Sequence, residues 1–200
     1  MWRVLFAGLL VMTCATGATA GPLEDAFSAL QRGDHAQAAE LFRPLAEQGD
    51  ARAQAALGML YGKGQGVPQR YREAAKWLHL AAAQGDAQAQ YTLGWLYAMG
   101  FGVRQNDQES VKWYRKAAEQ GLSGAQFNLG LMYDKGYGVP QDFLRAHMWY
   151  SLSEATFSGK KGKPSMKNRD RVVSQMTPTQ MEKAQAMVRR CQETMFKECD

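Results

Sequence analysis

AQAALGMLYGKGQGV (residues 53–67), AQYTLGWLYAMGFGV (89–103) and AQFNLGLMYDKGYGV (125–139) are one pattern written three times, 36 residues apart. Gln54, Gln90 and Gln126 fall in register, as do Leu57, Leu93, Leu129 and Gly58, Gly94, Gly130. So do Tyr61, Tyr97, Tyr133 and the paired glycines of each turn, Gly64/Gly66, Gly100/Gly102 and Gly136/Gly138. Beyond the quoted stretch, Trp77, Trp113 and Trp149 keep the same spacing. Half a copy precedes them: Ala38, Ala39, Leu41, Ala46 and Gly49 stand 36 residues before Ala74, Ala75, Trp77, Ala82 and Gly85. A period of this length means a repeat architecture, in which each unit buries its apolar face only against its neighbours.

Each unit reads as helix, Gly-rich turn, helix, tight turn. Ala51–Tyr61 is Ala-rich and suits a first helix. The stretch from Gly62 to Pro68 is a turn, because clustered Gly and a Pro end helices. Residues 70–84 form the second helix, and Gly85 stops it as a C-terminal glycine. The same reading places helices near 87–99, 107–120, 124–135 and 142–156, with shorter ones near 22–32 and 35–48. In the tail, a helix is expected near 165–175. Thr177, Pro178 and Gln180 then form a capping-box start for a last helix reaching about Thr194.

The pattern A-x-Q-x-x-L-G-x-x-Y-x-x-G-x-G-V, followed by A-x-x-W-x-x-x-A-A-x-x-G, resembles the Sel-one-like repeat, a longer relative of the tetratricopeptide repeat. The resemblance covers roughly residues 36–156, and its clearest copies are Ala53 to Gly85 and Ala89 to Gly121. Copy three departs at its end, with Glu154 and Phe157 where Ala and Gly belong. The fold it implies is all-α: a right-handed α-solenoid of helical hairpins with a C-terminal helical cap. The domains follow as a signal peptide (1–20), a solenoid (21–157) and a basic linker with its cap (158–200). Within the solenoid a half repeat (22–49) leads into repeats 50–85, 86–121 and 122–157.

Met1-Trp2-Arg3, an apolar run from Val4 to Met12 and the closing Ala18-Thr19-Ala20 make a secretory signal peptide, with cleavage expected after Ala20. A first buried helix and a lipoprotein leader retaining Cys14 are weaker readings. Thr13 and Met12 are poor residues to precede a lipidated cysteine. The location expected is therefore periplasmic. Cys191 and Cys199 remain in the mature chain, and two cysteines in an exported protein point to one disulfide.

The chain has 200 residues, 46% apolar and 22% charged, which excludes wholesale disorder. Its net charge of +5 is uneven. Residues 21–157 carry 13 Lys and Arg against 14 Asp and Glu, and residues 158–200 carry 10 against 5. The basic character belongs to the tail, and an exported protein has no nucleic acid to bind.

Chemical motifs are sparse. Gly62-Lys63-Gly64-Gln65-Gly66 imitates a phosphate loop but follows a helix, where such a loop needs a strand. Ser158-Gly159-Lys160-Lys161 matches S-x-x-K but lies in a Gly/Lys loop without the S-D-N and K-T-G partners of penicillin-recognising enzymes. His35, His79 and His147 have no metal-ligand spacing. No catalytic residue, metal or cofactor is assigned.

The copies can be compared with one another. At about 100° per residue, the positions alike in every copy occupy one arc of the first helix and the varied positions occupy another. The varied arc holds Arg52, Ala55, Ala56, Met59 and Lys63 in copy one, and Gln88, Tyr91, Thr92, Trp95 and Met99 in copy two. Copy three holds Gly124, Phe127, Asn128, Leu131, Asp134 and Lys135 there. In tetratricopeptide arrays the first helices line the concave groove, so the resemblance implies that this face is that groove. An aromatic centre with a polar border marks a binding site. Tyr91, Trp95 and Phe127 form the expected centre, Met59, Met99 and Leu131 extend it, and Arg52, Lys63, Asn128 and Lys135 border it. The function expected is a non-enzymatic adaptor or regulator that binds a protein or peptide of the cell envelope. The alternative is a protein that binds or hydrolyses cell-wall material (peptidoglycan or a β-lactam).

Overall fold

The computed structural model describes residues 21–156, 163–197 and 199. The stretch 1–20, read above as a signal peptide, and the Ser158–Lys161 motif lie outside the described residues. Eight helices form four consecutive hairpins: α1 (Pro22–Gln31) with α2 (His35–Glu47), α3 (Ala51–Lys63) with α4 (Tyr71–Ala83), α5 (Ala87–Met99) with α6 (Asp107–Ala118), and α7 (Ser123–Lys135) with α8 (Phe143–Thr156). The tail adds α9 (Lys163–Val173) and α10 (Pro178–Glu193), both packed on α8. The array is an α-solenoid.

Local signals start and stop the helices. The carboxylates of Asp50 and Asp86 accept from the backbone N–H of Ala53 and Ala89, at 2.8 and 2.6 Å. Each thus caps the helix that follows the glycine turn. Thr177 and Gln180 form the full capping box anticipated for α10. Helix α3 runs two residues further than expected, because Gly62 stays helical and the left-handed stop falls on Gly64, φ 67°, whereas α5 and α7 end at Met99 and Lys135 as expected. Ala98 and Asp134 occupy the same position in the other copies and are ordinary helix residues.

The recurring residues are stacking devices. Leu57, Leu93 and Leu129 are fully buried. Buried Gln54, Gln90 and Gln126 donate from Nε2 to the carbonyls of Ala46, Ala82 and Ala118, which end the previous hairpin. The first two also accept at Oε1 from Gln84 and Gln120, whose amides reach back to the carbonyls of Gly49 and Gly85. In copy three the corresponding position holds Thr156, and Gln126 Oε1 is buried without a partner among the described residues. A second ladder joins Arg43 to Tyr61 Oη, His79 to Tyr97 Oη and Arg115 to Tyr133 Oη.

Trp77, Trp113 and Trp149 are 8%, 7% and 0% exposed, so all three belong to the core. Trp113 meets the His79 ring of the previous hairpin edge-on at 5.6 Å. The second glycine of each turn is the point of closest approach. A Cβ on Gly66, Gly102 or Gly138 would stand 2.2–2.4 Å from the backbone of His35, Tyr71 or Asp107, the first residue of the preceding second helix. Only glycine lets backbone meet backbone there.

Polar contacts hold the tail onto the last hairpin. Arg171 of α9 pairs with Asp134, Arg169 pairs with Glu154, and Asn168 donates to Tyr150 Oη at 3.4 Å. This corrects the placement of Asp134 on the open face. The side chain is 1% exposed, enclosed between Tyr150 and the docked α9. Helix α10 ends with Thr194 as its C-cap, and Met195 and Phe196 turn the chain back in left-handed conformations (φ 49° and 65°). Cys191 and Cys199 thereby come within bonding distance, with Cα atoms 4.4 Å apart. Phe196 lies against Gly121 at the α6–α7 junction.

Candidate protein-binding face

The varied side chains of α3, α5 and α7 surround two clefts. The first, about 330 Å³, lies between α3, α4 and α5. Its floor is Gly58, Ala74 and Leu78, and its walls include Met59, Tyr91 and Trp95, with Lys63 also lining it. The second, about 450 Å³, lies between α5, α6 and α7 and is lined by Trp95, Met99, Asn128, Leu131, Asp107 and Tyr137 among others. Trp95 is the partition between them. Its ring is 36% exposed, while Met99 and Tyr137 are each 52% exposed.

Seven of the ten expected site residues therefore line these clefts: Met59, Lys63, Tyr91, Trp95, Met99, Asn128 and Leu131. Tyr91 also lies against Tyr114, with ring centroids 5.8 Å apart, and over Gly124, where a Cβ would sit 3.3 Å from its ring. Burial pushes the Tyr114 phenol well above its usual value, and neighbouring Tyr91 adds to the effect. The remaining three stand apart. Phe127 is half-buried and packs on Tyr150 at 5.7 Å. Arg52 lies over the Phe27 ring of α1 at 4.7 Å, and Lys135 Nζ is 3.7 Å from Asp134. Ala55 and Ala56, varied in sequence, are buried because the preceding hairpin packs against α3.

The structure adds aromatic residues from outside the first helices. Phe101 stacks on Tyr71 at 4.8 Å and meets Trp95 at 5.2 Å. Phe101 and Tyr137 hold the position of Gln65, between the two glycines of the turn. The same variation between copies that marks Trp95 is present at this turn position, which lies outside the helical wheel.

The lining residues offer apolar contact, amides and single charges. Among the described residues no group of three His, Cys, Asp or Glu side chains could hold a metal ion. The three histidines lie on separate helices, α2, α4 and α8.

The helical hairpins, the recurring amide ladder and the apolar clefts define a repeat protein built to present a surface. The Sel1 repeat model matches residues 28–50, 51–86, 87–122 and 123–154, and the chain belongs to the Sel1 repeat family. It is similar to a Sel1 repeat protein from Oxalobacter formigenes, with 34% identity over 68% of this chain and 55% of that one, TM-score 0.65. It is also similar to a protective antigen with an SLR fold present in uropathogenic Escherichia coli strains, with 27% identity over 89% of this chain and 46% of that one, TM-score 0.61. The chain thus spans about half the length of each of these solved structures. No curated protein matches it. Sel1 repeats generally mediate protein–protein interaction, and the family is typically a non-catalytic scaffold.

Proposed function

We propose that this protein is a non-enzymatic adaptor of the periplasm whose first-helix face binds a protein or peptide partner. The observation that carries the reading is Trp95, which is partly exposed on α5 and walls two largely apolar clefts at once. Large exposed aromatics flanked by Met and polar side chains concentrate binding energy. The periplasmic location rests on the signal-like pattern of Met1 to Ala20 and on the approach of Cys191 to Cys199.

The test is cross-linking in the envelope, followed by mass spectrometry, for wild type and Trp95→Ala side by side. The variant is expected to lose the stoichiometric partner, weakening binding by about 2 kcal/mol or more, with the melting temperature nearly unchanged. Unfolding of the array without loss of the partner would refute the reading. A chain retaining Met1 would refute the location.

A further inference from the structure

We infer that the cleft between α3 and α5 takes an apolar side chain from an acidic peptide segment, and that Lys63 receives the neighbouring carboxylate. The inference rests on the first-helix face being the partner site, and it names the chemistry of that partner. The floor of the cleft is apolar, its walls are mostly apolar with Gln88 and Thr92 among them, and Lys63 is the one charged side chain among its lining residues. Lys63 stands four residues after Met59, on the same side of α3, so its ammonium reaches the rim beside the apolar floor.

The surroundings favour a carboxylate in the same sense. The charged residues of α3, α5 and α7 are Arg52, Lys63, Asp134 and Lys135. Asp134 is buried and paired with Arg171, so the exposed charge on these three helices is positive throughout. The second cleft differs, because Asp107 lines it on the other side of Trp95. The carboxylates of α1, Glu24 and Asp25, lie at the N-terminal end of the array. An acidic segment is therefore drawn to the first cleft, and a basic one is repelled from it. Exposed aromatics also stack on sugar rings, but a narrow apolar floor beside one ammonium fits a peptide side chain with an acidic neighbour better than a neutral glycan.

Fluorescence anisotropy on the full mature chain tests this. The probes are a labelled octapeptide alternating glutamate with leucine around one phenylalanine, and its sister with lysine for glutamate. The acidic peptide should bind about tenfold tighter or better at low salt. The preference should shrink as the Debye length falls from about 10 Å at 0.1 M salt. Lys63→Glu should abolish the preference while leaving the melt intact, and Lys135→Glu should leave the preference standing. Equal affinity for both peptides, saturable binding of neither, indifference to Lys63→Glu, or tighter binding of a peptidoglycan fragment than of either peptide would each overturn the inference. If Trp95→Ala still removes the envelope partner while the peptides fail, the partner face stands and only its acidic chemistry is wrong.

Discussion

Replacing Gly102 with Ala tests whether the Gly-x-Gly turn is a contact point between hairpins or merely a flexible stop. Gly102 sits at φ 72°, and an added Cβ would stand 2.2 Å from the carbonyl carbon and oxygen of Tyr71. Gly85 supplies the control: its φ is also positive, 98°, but a Cβ there meets nothing within 4 Å. Both substitutions force a side chain into the left-handed region, which costs about 1–2 kcal/mol. Both also stiffen the unfolded chain by a similar amount, which cancels in the comparison. Gly102→Ala alone drives a methyl into backbone that opens α4, and a clash of this kind adds about 1–3 kcal/mol. Gly85→Ala should therefore lose about 1–2 kcal/mol, and Gly102→Ala about 2–5 kcal/mol. Urea melts followed by far-UV circular dichroism measure both. Losses equal to within about 0.5 kcal/mol would show that the turn needs only its backbone angles, not the close approach.

Trp113→Ala should destabilise the array by about 3–5 kcal/mol, and a loss below about 1 kcal/mol in the same melts would contradict its core position. Stability should fall as pH drops below about 6.5, because burial holds both His79 and His147 below their usual value. Neighbouring Lys112 adds to the effect at His79 and Glu109 opposes it, while at His147 Arg169 adds and Asp170 opposes. Since the folded state holds these protons less tightly than the unfolded one, stability is full above pH 6.5 and is lost down through the folded-state values. His79→Gln should flatten part of that slope in thermal melts between pH 7 and 5, and an unchanged slope would refute its share. Glu119, held above its usual range by burial, acts in the opposite sense nearer the carboxylate range. Thiol titration of the unreduced protein should find Cys191 and Cys199 oxidised, and their reduction should cost about 2.5 kcal/mol in the chain-entropy model. Free thiols in unreduced protein would contradict the pairing.

The period of 36 residues was enough to determine the hairpins, the buried leucines and the tryptophan core, because a stacked repeat must present the same face in every copy. The capping box at Thr177 is local chemistry, and local chemistry is legible in a chain of letters. Comparison of the copies also isolated the face that carries Trp95.

Contacts between distant residues are another matter. Nothing in the spacing of Asp134 and Arg171 says that α9 folds back over the end of α7 and removes a carboxylate from the open face. The division of that face into two clefts, with Lys63 in one and Asp107 in the other, depends on how a turn and a second helix meet the first. The stacking of Phe101 on Tyr71 is of the same kind, since it joins a turn to the helix of a different hairpin. Periodicity assigns each residue an angle about its own helix axis. Only the packed array decides which neighbour lies across that angle, and therefore whether a varied side chain is covered, as Ala55 is, or left open, as Trp95 is.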